Sequence, residues 1–497
     1  INGSKDFFMS SVDNWLKIAG FEGDFQKLKD RVIELMGFSR KFDCFTSLNS
    51  QNKLFVPQNF VNLYYGTNGM AAGNTKEEAM VQSLSEILER FVQKKIVSSE
   101  ITPPDLDRSL IKDFHLRLIG EIEQRGSFKI ILKDLSLGLK IPAVGLVCFN
   151  KLTKGYYVKV GVHPNIDVAI ERCITELLQG KDLRDYKGFG DMSTIDNTIA
   201  SSAENLISIY SDGQGSYPYS FFMKTPSYSP NIIQLPLNNN LEMLGYLRSL
   251  ITDLGYSVYL KQEQFLGLYG IQIIVPGLSE AIALNDMGFL DKQIRLLRAK
   301  KLLRKTYDIT PNEALYIIDC LEEQGFSSHI TLAGLLSFTP FKERSVFRSV
   351  SLLQLKAILY LTAGDYRNSF KSLDLYIKTS PDNPSITYYK CFRDFVKCRL
   401  DDINPRDVLA NFYDLEIVEE VARDFEKHPF CNLPKVKNCS RSCQGCVISS
   451  QCYYQENEKV FFKMLELKKG NMKIASYKIM GGRGSRFGGP IENNRYL

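Results

Sequence analysis

The sequence has no apolar run long enough to cross a bilayer. Its strongly apolar stretches, such as Gly270–Leu278, stop at about ten residues, whereas a membrane helix needs roughly 20. It opens without a basic segment leading into an apolar core, so signal-peptide export is not expected and a cytoplasmic protein is. The first residue is Ile1 rather than Met, which raises the expectation that residues upstream have been removed or left out.

Bulk charge of one sign is also missing. Lys and Arg total 62 against 56 Asp and Glu, a net charge of +6. Residues 467–497 hold seven basic side chains against Glu492, which accounts for the whole excess. The remainder is balanced and is no polyanion-binding surface by charge alone; only the tail is basic. With 44% hydrophobic and 24% charged residues the chain is neither disordered nor fibrous. Its 497 residues exceed one compact core and predict roughly three units of about 150.

Cys44, Cys148, Cys173, Cys320, Cys391 and Cys398 are scattered singly in apolar or mixed surroundings, as expected of reduced cytosolic thiols. The other five, Cys431, Cys439, Cys443, Cys446 and Cys452, are crowded near the C-terminus.

Along the chain, Phe25–Met36 reads as an amphipathic helix and Asn59–Tyr65 as a strand leading into the small-residue loop Gly66–Gly73. A long helix is predicted from about Thr75 to Val97 and a second from about Ile166 to Gln179. Extended segments are predicted at Lys129–Lys133, Ala143–Cys148, Tyr156–Gly161, Ser257–Tyr259 and Gly270–Val275, the last stopped by Pro276-Gly277. The pattern predicts an α+β class, with a mixed α/β body over residues 1–335. From about Ser345 the texture becomes helical, with helices at Leu352–Thr362, Asp365–Ile377 and Ile386–Asp401. Gly364-Asp365-Tyr366 falls where helix hairpins turn, so residues 340–425 read as a small all-α, tetratricopeptide-like unit.

On the first long helix, Met80, Leu84, Ile87, Leu88 and Phe91 cluster on one side at about 100° per residue and predict the core face. Glu78, Gln82, Glu86, Glu89 and Arg90 share the opposite side. Carboxylates stacked along one stripe repel, and no lysine interleaves them. Mg²⁺ prefers such carboxylates together with substrate phosphates, so the stripe suits a magnesium–nucleotide site. A solvated face is the competing reading, with Thr75-x-x-Glu78 as a capping box and Glu86–Arg90 as a surface pair. The second helix repeats the character, with Arg172, Glu176 and Gln179 opposite Ile170, Ile174 and Leu177, and Gly180 as its stop. Between strand and first helix, Asn68-Gly-Met-Ala-Ala-Gly-Asn74 offers backbone donors for an anion, or is simply a tight turn; it fits neither the Walker A nor the dinucleotide pattern.

Several of these segments together resemble the YcaO family. They are Asn62–Thr75, the series Glu78-x3-Gln82-x3-Glu86-x2-Glu89-Arg90, Val162-His-Pro164, Ala169–Gly180 and Ile274-Val-Pro-Gly277. The similarity runs over about residues 55–335 and is nearest to the stand-alone branch with a C-terminal helical domain. It implies an ATP- and Mg²⁺-dependent enzyme or accessory factor that acts on peptide backbone amides. In that chemistry a nucleophile adds to the carbonyl and the amide oxygen takes the γ-phosphoryl group. Loss of phosphate then leaves an azoline or a thioamide. For the stand-alone branch the resemblance also suggests a role in β-methylthiolation of a ribosomal protein. Position by position it makes Glu78, Glu86, Glu89 and Glu176 magnesium ligands, and Asn74, Gln82, Arg90 and Arg172 contacts of ATP. Catalytic side chains are not specified, since charge neutralisation and positioning supply most of the rate in phosphoryl transfer. The family's earlier Gly-rich segment and Ser-x3-Glu-x2-Glu-Arg helix have no counterpart before Asn59. A proline-rich C-terminus is also missing, which argues against heterocycle synthesis.

The C-terminal cysteines follow C-x7-C-x3-C-x2-C-x5-C over residues 428–455, with His428 upstream. Clustered thiolates in a reducing compartment predict a metal site, zinc ahead of an iron–sulfur cluster. Gly481–Gly489 is a basic flexible segment and the one place where nucleic acid contact is expected. Partners are therefore a peptide or ribosomal protein, with no membrane and a homo-oligomer left open. The rival reading is a non-catalytic scaffold that binds a peptide or partner and carries a metal-binding C-terminal element.

Overall fold

Val12, Trp15 and Leu16 are fully buried, and their spacing makes α1 (Lys5–Ile18) a helix with one apolar face. The computed structural model describes residues 5–36, 41–178, 195, 197–213, 215–304, 309–326, 330–336, 350–426, 452–460 and 462–467. The chain divides into two compact units, Ile1–Phe289 and Leu290–Leu497.

In the first unit α1 and α2 (Phe25–Met36) precede the hairpin β1 (Phe42–Ser47) and β2 (Lys53–Pro57). The strand expected over Asn59–Tyr65 is instead a helical turn α3 (Gln58–Phe60) continued by a π-helical turn, Val61–Tyr65. The physical reason is burial on one side. Phe60, Val61, Tyr64 and Tyr65 all face inward, which an alternating strand cannot achieve, and three of their rings pack around Trp15. The small-residue loop is shorter than expected too, because Met70–Gly73 forms β3, paired antiparallel with β8 (Leu268–Ile274). Gly69 has φ +72°, and a Cβ there would stand 2.3 Å from the Ile273 carbonyl oxygen, so the strand starts where only glycine fits.

β7 (Tyr259–Phe265) completes a five-stranded sheet of order β2-β1-β7-β8-β3. A second sheet has three antiparallel strands, β4 (Phe128–Asp134), β5 (Ala143–Asn150) and β6 (Tyr156–Val162), with β6 at an edge. The helix α4 (Lys76–Ser98) packs on β3 and β8 of the first sheet, on β5 and β6 of the second, and on α9 (Asn240–Asp253). Its five predicted core residues are all buried. On the other face of the second sheet lie α5 (Asp113–Gly126) and α6 (Ile166–Leu178). The strands show why. Val158, Val160 and Val162 share a core with α4, whereas Val144, Leu146 and Tyr157 share one with α6. The short α7 (Asn197–Ala200) and then α8 (Ala203–Asp212) follow α6.

The helix α10 (Met287–Leu303) runs across the boundary between units. In the second unit α11 (Pro311–Glu323) opens on a capping box of Thr310 and Glu313, and α12 (Leu332–Leu335) follows. The helices α13 (Leu352–Thr362), α14 (Tyr366–Thr379) and α15 (Ile386–Leu400) match the expected series. Each packs on the next, and Gly364 turns the chain at φ +77° before Asp365 caps α14. α16 (Pro405–Leu409) and α17 (Leu415–Glu426) cover α15.

Among the described residues no helix is long and apolar enough to cross a membrane. The six scattered cysteines are free, and burial pushes every one of their thiols up.

Candidate functional site

The two polar stripes meet at β6, the edge strand of the second sheet among the described residues. α4 lies on one face of that strand and α6 on the other, so side chains from both can reach past it. Close approach of α6 depends on Gly161, where a Cβ would stand 2.2 Å from the Ala169 carbonyl oxygen. The result is a cavity of about 480 Å³ that brings together Glu86, Glu89, Arg90, Arg172 and Glu176.

Within it the charges are interleaved. Arg90 Nη2 lies 2.7 Å from Glu86 Oε1. Arg172 Nη2 is 3.8 Å from Glu89 Oε2 and 3.8 Å from Glu176 Oε1, while its Nη1 donates to Gln82 Oε1 at 2.7 Å. Glu89 Oε2 and Arg172 Nε are buried without a hydrogen-bond partner. Such orphaned groups cost free energy unless something else satisfies them. Burial, then the charge of Glu176, pushes the Glu89 carboxyl up to about 8 against the pull of Arg172. Burial likewise raises Glu86 and Glu176, in both cases opposed by nearby cations.

Glu78 and Asn74 are not in this cavity. The Glu78 carboxylate accepts from the Asn74 backbone N–H at 2.9 Å, and its own N–H donates to Thr75 Oγ1. Glu78 therefore occupies the anion position at the start of α4 that the glycine loop was expected to offer a ligand. Gln82 is exposed and enters through its bond to Arg172. Gln179, Gly180, His428, Cys431, Cys439, Cys443, Cys446 and the tail from residue 468 lie outside the described residues. Cys452 is described and half-buried. Among the described residues no three His, Cys, Asp or Glu side chains are gathered as a ready-made metal nest.

The sequence reading missed the far wall. Lys159 comes from β6 and Tyr210, Ser211 and Gly213 from the end of α8. Tyr210 packs under Arg90, with the guanidinium carbon 5.5 Å from its ring centre, and its hydroxyl donates to the Arg90 carbonyl. A lone lysine in the apolar run Tyr156–Val162 was a usable signal, and Gln93 extends the α4 stripe by one turn. Tyr210 gave none.

Residues 42–279 match the family described as YcaO cyclodehydratase, ATP- and Mg²⁺-binding. They belong to the YcaO family. The chain is 28% identical over 355 residues to the ribosomal protein S12 methylthiotransferase accessory factor YcaO of Escherichia coli, covering 70% of this chain and 60% of that protein. It is 27% identical over 426 residues to an uncharacterised protein of Haemophilus influenzae, covering 82% and 69%. The chain thus spans about three fifths of the E. coli relative's length. A solved structure of YcaO from Methanopyrus kandleri bound with AMPPCP and Mg²⁺ is 16% identical at a TM-score of 0.34, covering 50% of this chain and 66% of that one.

Inside the YcaO domain α4 itself carries the spacing x3-Glu-x2-Glu-Arg, with Gln82 standing where that pattern has serine. The donor set fits the ligands named for the family. Carboxylate oxygens are the donors Mg²⁺ prefers, and guanidinium forks match phosphate oxygens. Three carboxyl groups stand against Arg90, Arg172 and Lys159 in the lining, so acidic and basic side chains are matched in number. The orphaned Glu89 and Arg172 atoms are one acceptor and one donor left for such a ligand.

Proposed function

We propose that this chain is an ATP- and Mg²⁺-dependent YcaO-type protein that activates a peptide backbone amide, as an enzyme or as the accessory factor of one. The observation that carries this reading is the cavity at the β6 edge, where carboxylates and guanidiniums from two helices converge with unsatisfied buried atoms. Glu86, Glu89 and Glu176 would hold Mg²⁺, and Arg90 and Arg172 would face the phosphates. When bound, the nucleotide supplies the phosphoryl group that turns an amide oxygen into a leaving group. The chain's own part is positioning and charge neutralisation. Tyr210 fixes Arg90 from below, and Gln82 fixes Arg172 from the side.

The substrate in this proposal is a peptide or a ribosomal protein, modified in the cytoplasm by β-methylthiolation or by thioamide or azoline formation. The E. coli relative, named an accessory factor of a ribosomal protein methylthiotransferase, supports the first of these. We divide the chain into a nucleotide-binding body at 1–335, a tetratricopeptide-like partner-binding unit at 340–425, a zinc or iron–sulfur element at 428–455 and a basic tail at 467–497. The helix-on-helix packing of α13, α14 and α15 supports the second of these units.

Calorimetric titration of the full chain with ATP and Mg²⁺ tests the reading. Binding in about the micromolar range is expected, weakened at least about tenfold, or about 1.4 kcal/mol, in Glu86→Ala and Arg90→Ala. No heat at millimolar ATP would overturn it in favour of a scaffold that binds a peptide without nucleotide.

A further inference from the structure

We propose that His115 on α5 is a positioning residue for the nucleotide cavity, acting on α6 through Asp167 and Glu171 and holding that helix most firmly when protonated. The inference rests on the nucleotide reading above, because α6 is the helix that brings Arg172 and Glu176 to the cavity. His115 is 1% exposed, and neither of its ring nitrogens has a hydrogen-bond partner. Nδ1 lies 3.8 Å from Asp167 Oδ1, itself a buried oxygen without a hydrogen bond. Nε2 lies 3.6 Å from Glu171 Oε1. One side chain of α5 is thus set between two carboxyl groups about one turn apart on α6.

A neutral imidazole cannot serve both. It carries one N–H and one lone pair, so one nitrogen meets a carboxylate with nothing to donate. The imidazolium has a donor on each edge, and two carboxylates are the partners it needs. Lys112, one turn back on the same side of α5, takes the other Asp167 oxygen at 2.6 Å, which leaves Oδ1 to the ring. Among the described residues the charged groups set against His115 are therefore Asp167 and Glu171 of α6 and, through Asp167, Lys112 of its own helix. β4, also packed on α5, gives Ile130 and Leu132 to the adjoining core, and its Lys133 is paired with Asp105 at 2.7 Å. Glu171 directly precedes Arg172, so a contact at Glu171 fixes the turn of α6 from which the guanidinium reaches the cavity.

Urea unfolding and calorimetric ATP–Mg²⁺ titration at about pH 5 and about pH 8, the range over which histidine changes charge, test this. The Glu171 side chain is 55% exposed, so Glu171→Gln is expected to fold. At the lower pH the variant should be less stable than the wild type by about threefold in the unfolding constant, and should bind ATP about twofold more weakly. At the higher pH the two proteins should match. Each comparison is between proteins at one pH, because the cavity carboxyls titrate as well. His115→Gln should abolish the pH dependence, and adding Glu171→Gln to it should cost nothing further; if His115→Gln does not fold, Glu171→Gln alone decides. A Glu171→Gln defect of equal size at both pH values, or none at either, overturns the proposal. So does a loss of stability at the lower pH that leaves ATP affinity unchanged. If ATP fails to bind the wild type at both, the nucleotide reading falls and takes the positioning role with it, whereas the urea comparison by itself decides whether the His115 contact forms.

Discussion

Arg172 on α6 and Gln82 on α4 lie ninety residues apart and share a 2.7 Å hydrogen bond, in which the guanidinium donates to the amide oxygen. This bond crosses the edge of β6 and ties together the two helices that line the cavity. Gln82→Ala should leave the fold intact, because the side chain is exposed, and should let the guanidinium wander. The expected outcome is ATP binding weaker by about 1 kcal/mol, roughly fivefold, read by calorimetry against an unchanged urea midpoint.

Gly161→Ala acts on the same junction through the backbone. Its Cβ would fall 2.2 Å from the Ala169 carbonyl oxygen, so α6 must move off β6. Overpacking of this kind costs about 1–3 kcal/mol, which urea denaturation would show. Nucleotide affinity should fall with it, because Arg172 and Glu176 ride on the helix that moves. A variant with full stability and full affinity would contradict this packing.

The nucleotide-free protein should lose stability as pH rises through neutrality. Glu89 has a folded-state value of about 8 against an ordinary 4.5, so between the two the folded chain keeps a proton that the unfolded chain releases. The stabilisation is complete below the ordinary value and is lost as pH rises through about 8. Glu89→Gln removes that contribution. The variant should therefore gain on the wild type as pH rises from 4.5 to about 8, the span of this titration, in urea melts. A difference that does not change with pH would contradict it.

Trp15 is the one tryptophan of the sequence and is fully buried. Its indole N–H donates to the Tyr65 hydroxyl at 2.8 Å, and that hydroxyl donates to Glu280 Oε1 at 2.7 Å. Glu280 is itself buried and receives the Gly277 N–H at 3.0 Å. Tyr65→Phe strands the indole donor and removes one of the carboxyl's partners. A loss of about 1–3 kcal/mol is expected, together with a shift in Trp15 emission that tracks the docking of α1.

Much of this was legible along the chain. The apolar period of α4 and α6 placed Met80, Leu84, Ile170 and Ile174 inside and the acidic stripes outside, because a helix face is set by spacing alone. Helices at Phe25–Met36 and Leu352–Thr362 were legible for the same reason. Spacing also grouped Glu78 with Glu86 and Glu89, yet it could not say that Glu78 closes the helix start while the others turn into a cavity. That difference arises about two to three turns along the helix, where α4 meets β6 and α6 comes within reach.

The remainder belonged to tertiary structure. Asn59–Tyr65 carries the aromatic residues of a strand, but burying Phe60, Val61, Tyr64 and Tyr65 against Trp15 requires a helical turn. β3 exists only because β8 offers an edge to pair with. Lys159, Tyr210 and Gly213 join the site from strand and helix ends far apart in sequence, and no local pattern carries such a meeting. Sequence by itself determined which faces were polar; the place of β6 beside α4 and α6, and the missing side chain at Gly161, decided what those faces look upon.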